Sequence, residues 1–297
     1  MFVSAIEEIS KFTRPMHTIM RSYGGLISPG TSTFFFVNDN GVAITCKHVA
    51  NVILGAENIN NTFNQFKSER DKIIKDAKFS RNLKGLELKY KYLQESTVQI
   101  KNNFLNSFDK IEQITCHVHP TIDLAILEFK GFNKLLYTSH AKFIRDQSEI
   151  KQGQYLCRLG FPFPEFNNFK HNPNSDDIEW TTTGNSNSPS FPIDGIITRF
   201  VAEAIDGVPG ITGIEMSTPG LRGQSGGPLF DSDGIIYGMQ FATNHLHLGF
   251  DMRDKEIIQD GKKNKVSNHP FLHVGICVHV EKIKQFLRDH KITFEEI

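Results

Sequence analysis

The chain has 297 residues, with 33 Lys plus Arg balanced by 33 Asp plus Glu. That length can bury a substantial core, and the balanced charge argues against a surface that grips nucleic acid or an acidic membrane as a whole. At 39% apolar and 22% charged residues the composition is too apolar for disorder, and four Cys are too few for a disulfide scaffold. The 25 Phe are expected mostly in the core.

Along the chain, Val3, Ile6, Ile9 and Phe12 predict a short amphipathic helix. Neither a secretory signal nor a run long enough to span a bilayer is visible, so the expected location is the cytoplasm. Thr33 to Val37, the turn Asn38-Asp39-Asn40-Gly41 and Val42 to Thr45 read as a hairpin. Phe66, Ile73, Ile74 and Ala77 predict a surface helix over roughly 63–79. Segment 57–110 carries 11 basic and 7 acidic residues, which fits a solvated face better than a nucleic-acid site. Leu86 to Tyr92 alternates apolar and polar and predicts a strand. Further strands are expected at 114–119, 124–129, 154–159, 193–201, 211–217, 235–241 and 272–280. Segments 162–192 and 244–270 read as loops, and Ile283, Phe286 and Leu287 mark a C-terminal helix over about 280–290. Many short strands with Gly and Pro turns predict an all-β sandwich or barrel.

The chemistry centres on Gly223-Gln224-Ser225-Gly226-Gly227-Pro228-Leu229, set between two predicted strands. Its glycines would let the N–H groups of Gly223 and Ser225 converge on one point, as an oxyanion requires. A serine hydroxyl is a weak nucleophile and needs a base, which in turn needs an orienting acid. His48 follows the hairpin, in Thr45-Cys46-Lys47-His48-Val49, and Asp123 opens an apolar strand in Ile122-Asp123-Leu124-Ala125-Ile126-Leu127. These are the expected base and acid. His117 and His119, and His245 with His247, lack further ligands at metal spacing, so no metal site is expected.

With these three segments in the order His, Asp, Ser, the chain resembles trypsin-like serine peptidases of the chymotrypsin fold. It is closest in pattern to the Deg/HtrA protease domain without a PDZ module. The resemblance runs through Ser32 to Val37, His119 to Leu127, Leu159-Gly160-Phe161-Pro162, Met216 to Pro228 and Val274-Gly275-Ile276-Cys277-Val278. It leaves out 55–85, 162–192 and 244–270. It implies one peptidase domain of two six-stranded antiparallel barrels, about 13–145 and 146–280. A helical insertion near 55–85 and the C-terminal helix would complete it.

The resemblance implies a serine endopeptidase that cuts protein or peptide substrates without a cofactor. Gly223 and Ser225 would form the oxyanion hole. A P1 pocket would be built from Pro219, Gly220, Phe241, Ala242, Thr243 and Gly275, while Arg222, just before the oxyanion Gly, would either favour acidic residues near the cut or be a solvent-facing loop charge. None of these carries a carboxylate, so an apolar or small P1 residue is expected in place of Lys or Arg, unless Asp251 of the 244–270 loop swings in and reverses this. Val49 and Leu221 stand where many secreted relatives have Cys, which agrees with a reducing compartment. Gln224 replaces the Asp used by zymogen-activated relatives, so activation through a freed N-terminus is not expected. Regulation would fall to the long loops, a protein partner or oligomerisation. The competing reading is a latent or pseudo-protease that binds peptides or proteins through the same cleft.

Overall fold

The structure is a computed structural model that describes residues 2–205, 208–259 and 261–297. Helix α1 (Val3–Ser10) leads into β1 (Thr13–Ser22), β2 (Ile27–Phe36) and β3 (Val42–Thr45). Helices α2 (Lys47–Ile73) and α3 (Phe79–Tyr90) follow, then β4 (Thr97–Phe104), β5 (Gln113–Val118) and β6 (Ala125–Lys130). The six strands form one antiparallel sheet in the order β4-β1-β2-β3-β6-β5. It is a strongly curled half-barrel of the expected six strands, whose end strands do not pair with each other. Helix α2 covers the open edge. The Asn60 side chain exchanges both amide hydrogen bonds with the backbone of Ile100 on β4, at 2.8 and 2.9 Å, as a neighbouring strand would.

Alternation along the strands turns Phe34 and Phe36 to the inside, where they pack with Phe104, Phe108 and Phe129. Tyr137 stacks on Phe36 and donates its hydroxyl to the Asn38 carbonyl at 2.9 Å, pinning the β2–β3 turn.

The second sheet begins with β7 (Lys142–Phe143) and β8 (Tyr155–Gly160). A small hairpin of β9 (Phe169–Asn172) and β10 (Asp177–Trp180) follows. Then come β11 (Phe191–Ile205), β12 (Val208–Met216), β13 (Pro228–Phe230) and β14 (Ile235–His247). A second hairpin, β15 (Met252–Gln259) and β16 (Lys262–Asn268), precedes β17 (Phe271–His279), α4 (Val280–Asp289) and β18 (Glu295–Glu296). Six strands close a ring in the order β13-β8-β11-β12-β17-β14, with β13 and β14 paired to complete it. The ring is antiparallel throughout, and β7 and β18 add short parallel pairings outside it. This is the two-barrel, chymotrypsin-like architecture, mostly β, with helices at its margins.

Three expectations change. The segment read as a strand from Leu86 to Tyr92 is helical as far as Tyr90. Its alternation is accidental: Leu83, Leu86 and Tyr90 share a helical face and pack against Phe63 and Phe66, while Leu88 is 79% exposed. The helical insertion also starts earlier than expected, because α2 runs unbroken from Lys47. Finally, the loops 162–192 and 244–270 each contain a hairpin. The first is anchored by Phe166 and Ile178 against Ile19, a contact between residues too far apart in sequence for any local pattern to show. Among the described residues no helix is long and apolar enough to cross a membrane.

Candidate active site

The hairpin β2–β3 delivers His48. Cys46 is extended, and the chain then turns at once into α2, so His48 sits in the first turn of a long helix. The Asp123 carboxylate meets it there with both oxygens. Oδ2 lies 2.7 Å from His48 Nδ1, and Oδ1 accepts the His48 backbone N–H at 2.9 Å. The second bond satisfies an otherwise orphaned donor at a helix N-terminus, where a negative charge is favoured. Burial alone would push the Asp123 carboxyl up, but the His48 ring and backbone hydrogen bonds together outweigh it and hold it below the usual range. The turn carrying Asp123 is braced by His119, whose Nδ1 accepts the N–H groups of Thr121 and Ile122 at 3.2 and 3.0 Å. Burial, then the charges of Lys47 and Lys282, lowers the His119 pKa, which favours the unprotonated ring that this acceptor role needs.

Ser225 comes from the other sheet, and its loop is clamped to the hairpin that carries His48. Its carbonyl accepts the Thr33 N–H at 2.9 Å, and Thr33 Oγ1 donates to the Gly223 carbonyl at 2.7 Å. Thr45 Oγ1 in turn donates to the Thr33 carbonyl at 2.8 Å. A Cβ at Gly226 would collide with the Thr33 carbonyl, so only glycine allows this approach. Ser225 Oγ makes no hydrogen bond to His48 here; such bonds commonly tighten only when substrate binds.

The loop's own backbone is selective about its partners. The N–H groups of Gln224 and Gly227 bond within the loop, and that of Gly226 bonds to Gln240. Among the described residues, those of Gly223 and Ser225 donate to nothing. Gly223 is at φ +89°, a conformation glycine alone adopts without strain. Gln224 is buried and spans the loop, accepting the Leu221 N–H and donating to the Phe191 carbonyl, both at 3.0 Å. The residue in place of the zymogen Asp is therefore a brace.

A cavity of about 490 Å³ opens beside Ser225. Pro219, Gly220, Arg222, Phe241, Ala242 and Thr243 line it. Gly275 lies behind the lining. It lets the Arg158 guanidinium occupy the space where a side chain would stand. Gln240 and His273 also line the cavity and had no signal in the sequence, and His245 joins them, a residue the sequence offered only as a metal candidate. A bulge between Gln240 and Ala242 resets the alternation of β14, and cross-strand pairing with β17 brings His273 opposite His245.

His247 Nε2 and His269 Nδ1 both approach Asp251 Oδ1, at 2.7 and 3.1 Å. These three offer ligand atoms within 4.8 Å of one another, a grouping the sequence did not reveal because His269 enters from beyond the β15–β16 hairpin. The four cysteines are free thiols. Burial pushes the thiol pKa of Cys157 and of Cys277 up to about 12, which makes them packing groups and not nucleophiles.

Comparison with known proteins completes the picture. No curated protein sequence matches the chain. Among solved structures, the active form of the Rv3671c protease from M. tuberculosis is similar at 12% identity and TM-score 0.48, covering 98% of this chain and 86% of that one. The HtrA-type protease AlgW with a tripeptide is similar at 12% identity and TM-score 0.47, covering 97% of this chain and 62% of that one. This chain thus spans less than two thirds of the AlgW chain. The sequence profile of the trypsin-like peptidase domain matches residues 30–239, a span that contains His48, Asp123 and Ser225. A match over that much of its length places the chain in the trypsin-like peptidase family, as a serine endopeptidase.

Proposed function

We propose that Ser225, His48 and Asp123 act as a catalytic triad in a selective endopeptidase. Ser225 Oγ attacks the scissile carbonyl carbon while His48 Nε2 takes its proton. The carbonyl oxygen becomes an oxyanion held by the N–H groups of Gly223 and Ser225. His48 then returns the proton to the leaving amine, and the C–N bond breaks to give an acyl-enzyme. A water molecule repeats the sequence, giving up its proton to His48, and releases the new carboxyl end. Asp123 keeps its negative charge throughout, fixing the tautomer of His48 and stabilising the imidazolium.

The reading is carried by the two-oxygen grip of Asp123 on His48, with the Ser225 loop clamped to the hairpin that ends there. The two uncommitted N–H groups support it. The free thiols fit work in a reducing compartment such as the cytoplasm. The hairpins β9–β10 and β15–β16 offer surfaces through which a protein partner could regulate access. A fluorophosphonate probe tests the triad. Wild type is expected to be labelled, Ser225→Ala not at all, and Asp123→Asn about 10⁴-fold more slowly. Wild-type protein that resists the probe, or equal labelling of Ser225→Ala, would overturn the assignment.

A further inference from the structure

Arg158 on β8 is wholly buried, and no carboxylate pairs with it among the described residues. Its hydrogen bonds go to neutral acceptors only. NH1 donates to Gln240 Oε1 at 2.6 Å, and NH2 donates to the Thr218 carbonyl and Oγ1 at 3.0 and 2.6 Å. Its Nε has no partner. Asp194 on the adjacent strand is engaged by the Tyr155 hydroxyl and makes no ion pair with Arg158, acting on it only through its more distant negative charge. A guanidinium never gives up its charge in a protein, so this is a permanent positive charge in the interior. Such a charge is costly unless something compensates it, and nothing in the free molecule does so fully.

The charge lies directly behind the cavity beside Ser225. A Cβ at Gly275 would collide with NH1, and a Cβ at Gly220 would collide with Gln240 Nε2. The Gln240 amide therefore fills the space between these two positions and separates Arg158 from the cavity. Arg158 can only donate, so Gln240 must turn its oxygen toward the guanidinium; the Cys277 thiol, at 3.5 Å, points to the same oxygen. Its NH₂ group then faces the other way. One of those protons goes to the Ala242 carbonyl at 2.5 Å, and the second is left to offer. Pro219, Leu221, Phe241 and Ala242 make much of the remaining lining apolar. Arg222 stands at the rim, and the Nδ1 atoms of His245 and His273 lie 2.6 Å apart. Among the described residues no carboxylate lines the cavity, and the Asp251 carboxylate is held by His247 and His269.

We infer that Arg158, acting through Gln240, makes the P1 pocket selective for a side chain ending in a carboxylate, so that the enzyme cuts after Glu or Asp. This rests on the cavity beside Ser225 being the P1 pocket, and it replaces the apolar preference drawn from the sequence. A P1 carboxylate accepts the free Gln240 N–H and adds a counter-charge to the distant one that Asp194 supplies. A P1 Lys would bring a second positive charge to the same place.

Binding tests the inference independently of turnover. Acetylated peptides identical except for a final Glu, Asp, Gln, Leu or Lys are titrated calorimetrically into Ser225→Ala. The tighter of the Glu and Asp peptides is expected to bind at least tenfold better than Leu or Gln, with Lys weakest. Equal binding of all five, tighter binding of Leu or Lys, or no binding would overturn it. Combining Ser225→Ala with Gln240→Glu places a carboxylate against Arg158, and should remove the acidic preference. Retention of that preference would count against the role of Arg158. Arg158→Met should act the same way where circular dichroism shows it folded. Fluorophosphonate labelling of wild type in parallel reports on the triad, so a failed P1 assignment is distinguishable from a failed catalytic one.

Discussion

At the scale of single residues, the site is assembled by glycines and threonines as much as by the triad. Gly226 lets the Ser225 loop press against Thr33, and Thr33 and Thr45 pass that position on to the end of β3, from which α2 starts with His48 in its first turn. Gly226→Ala would force a side chain into this contact at φ +89°. It should destabilise the protein by at least about 2 kcal/mol and slow probe labelling more than tenfold. A variant that melts and labels like wild type would show that the clamp does not set the site. The identities of Ser225, His48 and Asp123 were legible because each stands in a distinctive local string. Arg158 and Gln240 were not, since nothing near them in sequence announces a shared buried contact between β8 and β14.

At the scale of elements, the additions to the two sheets are held by charge as well as by apolar contact. Asp176, at the tip of the β9–β10 hairpin, bonds to Arg21 of β1 at 2.7 Å and to Arg70 of α2 at 2.8 Å. Burial acts to raise its pKa, but these two guanidinium groups and His171 outweigh it and bring it down to about 2. A depressed carboxyl pKa contributes stability that is complete above its unfolded value near 4 and is lost as pH falls through 2. Asp176→Asn should cost about 1 kcal/mol at neutral pH after allowance for solvent screening, and should loosen the hairpin. Thermal melts at pH 7 and pH 2.5 check this: the deficit should shrink at the lower pH, and an unchanged deficit would refute the ionic account. The hairpin was read as a loop because its tip is rich in Asn, Pro and Asp, while its strands are only four residues each. The misread strand at 86–92 has the opposite cause, a two-residue alternation that the helix overrode by packing on a three- and four-residue spacing.

At the scale of the molecule, two buried histidines tie stability to pH. His17 stacks on Phe166 with ring centroids 4.0 Å apart, and neither ring nitrogen has a partner. His279 accepts the Glu281 N–H at the start of α4, which requires an unprotonated Nδ1. Burial lowers the pKa of each to about 4, with nearby lysines adding to the effect at His279. The folded state therefore resists a proton that the unfolded state accepts near 6.5. Their contribution is complete above that value and declines as pH falls toward 4, by about 2 to 3 kcal/mol each. The melting temperature should drop steadily between pH 7 and pH 4.5, and His17→Phe should flatten the slope. An unchanged slope in that variant would mean that other groups dominate.

The sequence by itself determined the strand-rich class, the hairpin before His48, the C-terminal helix and the three residues proposed for catalysis. All of these are written in short windows, where alternation, turn residues and glycine spacing act locally. Only the tertiary structure decided how the first sheet is left open and covered by α2, and how the second closes into a ring. It also decided what stands behind the cavity beside Ser225. Strand closure and a buried charge both depend on residues far apart in the chain. Arg158 meets Gln240 across 82 positions, and the electrostatics of the pocket come from that meeting.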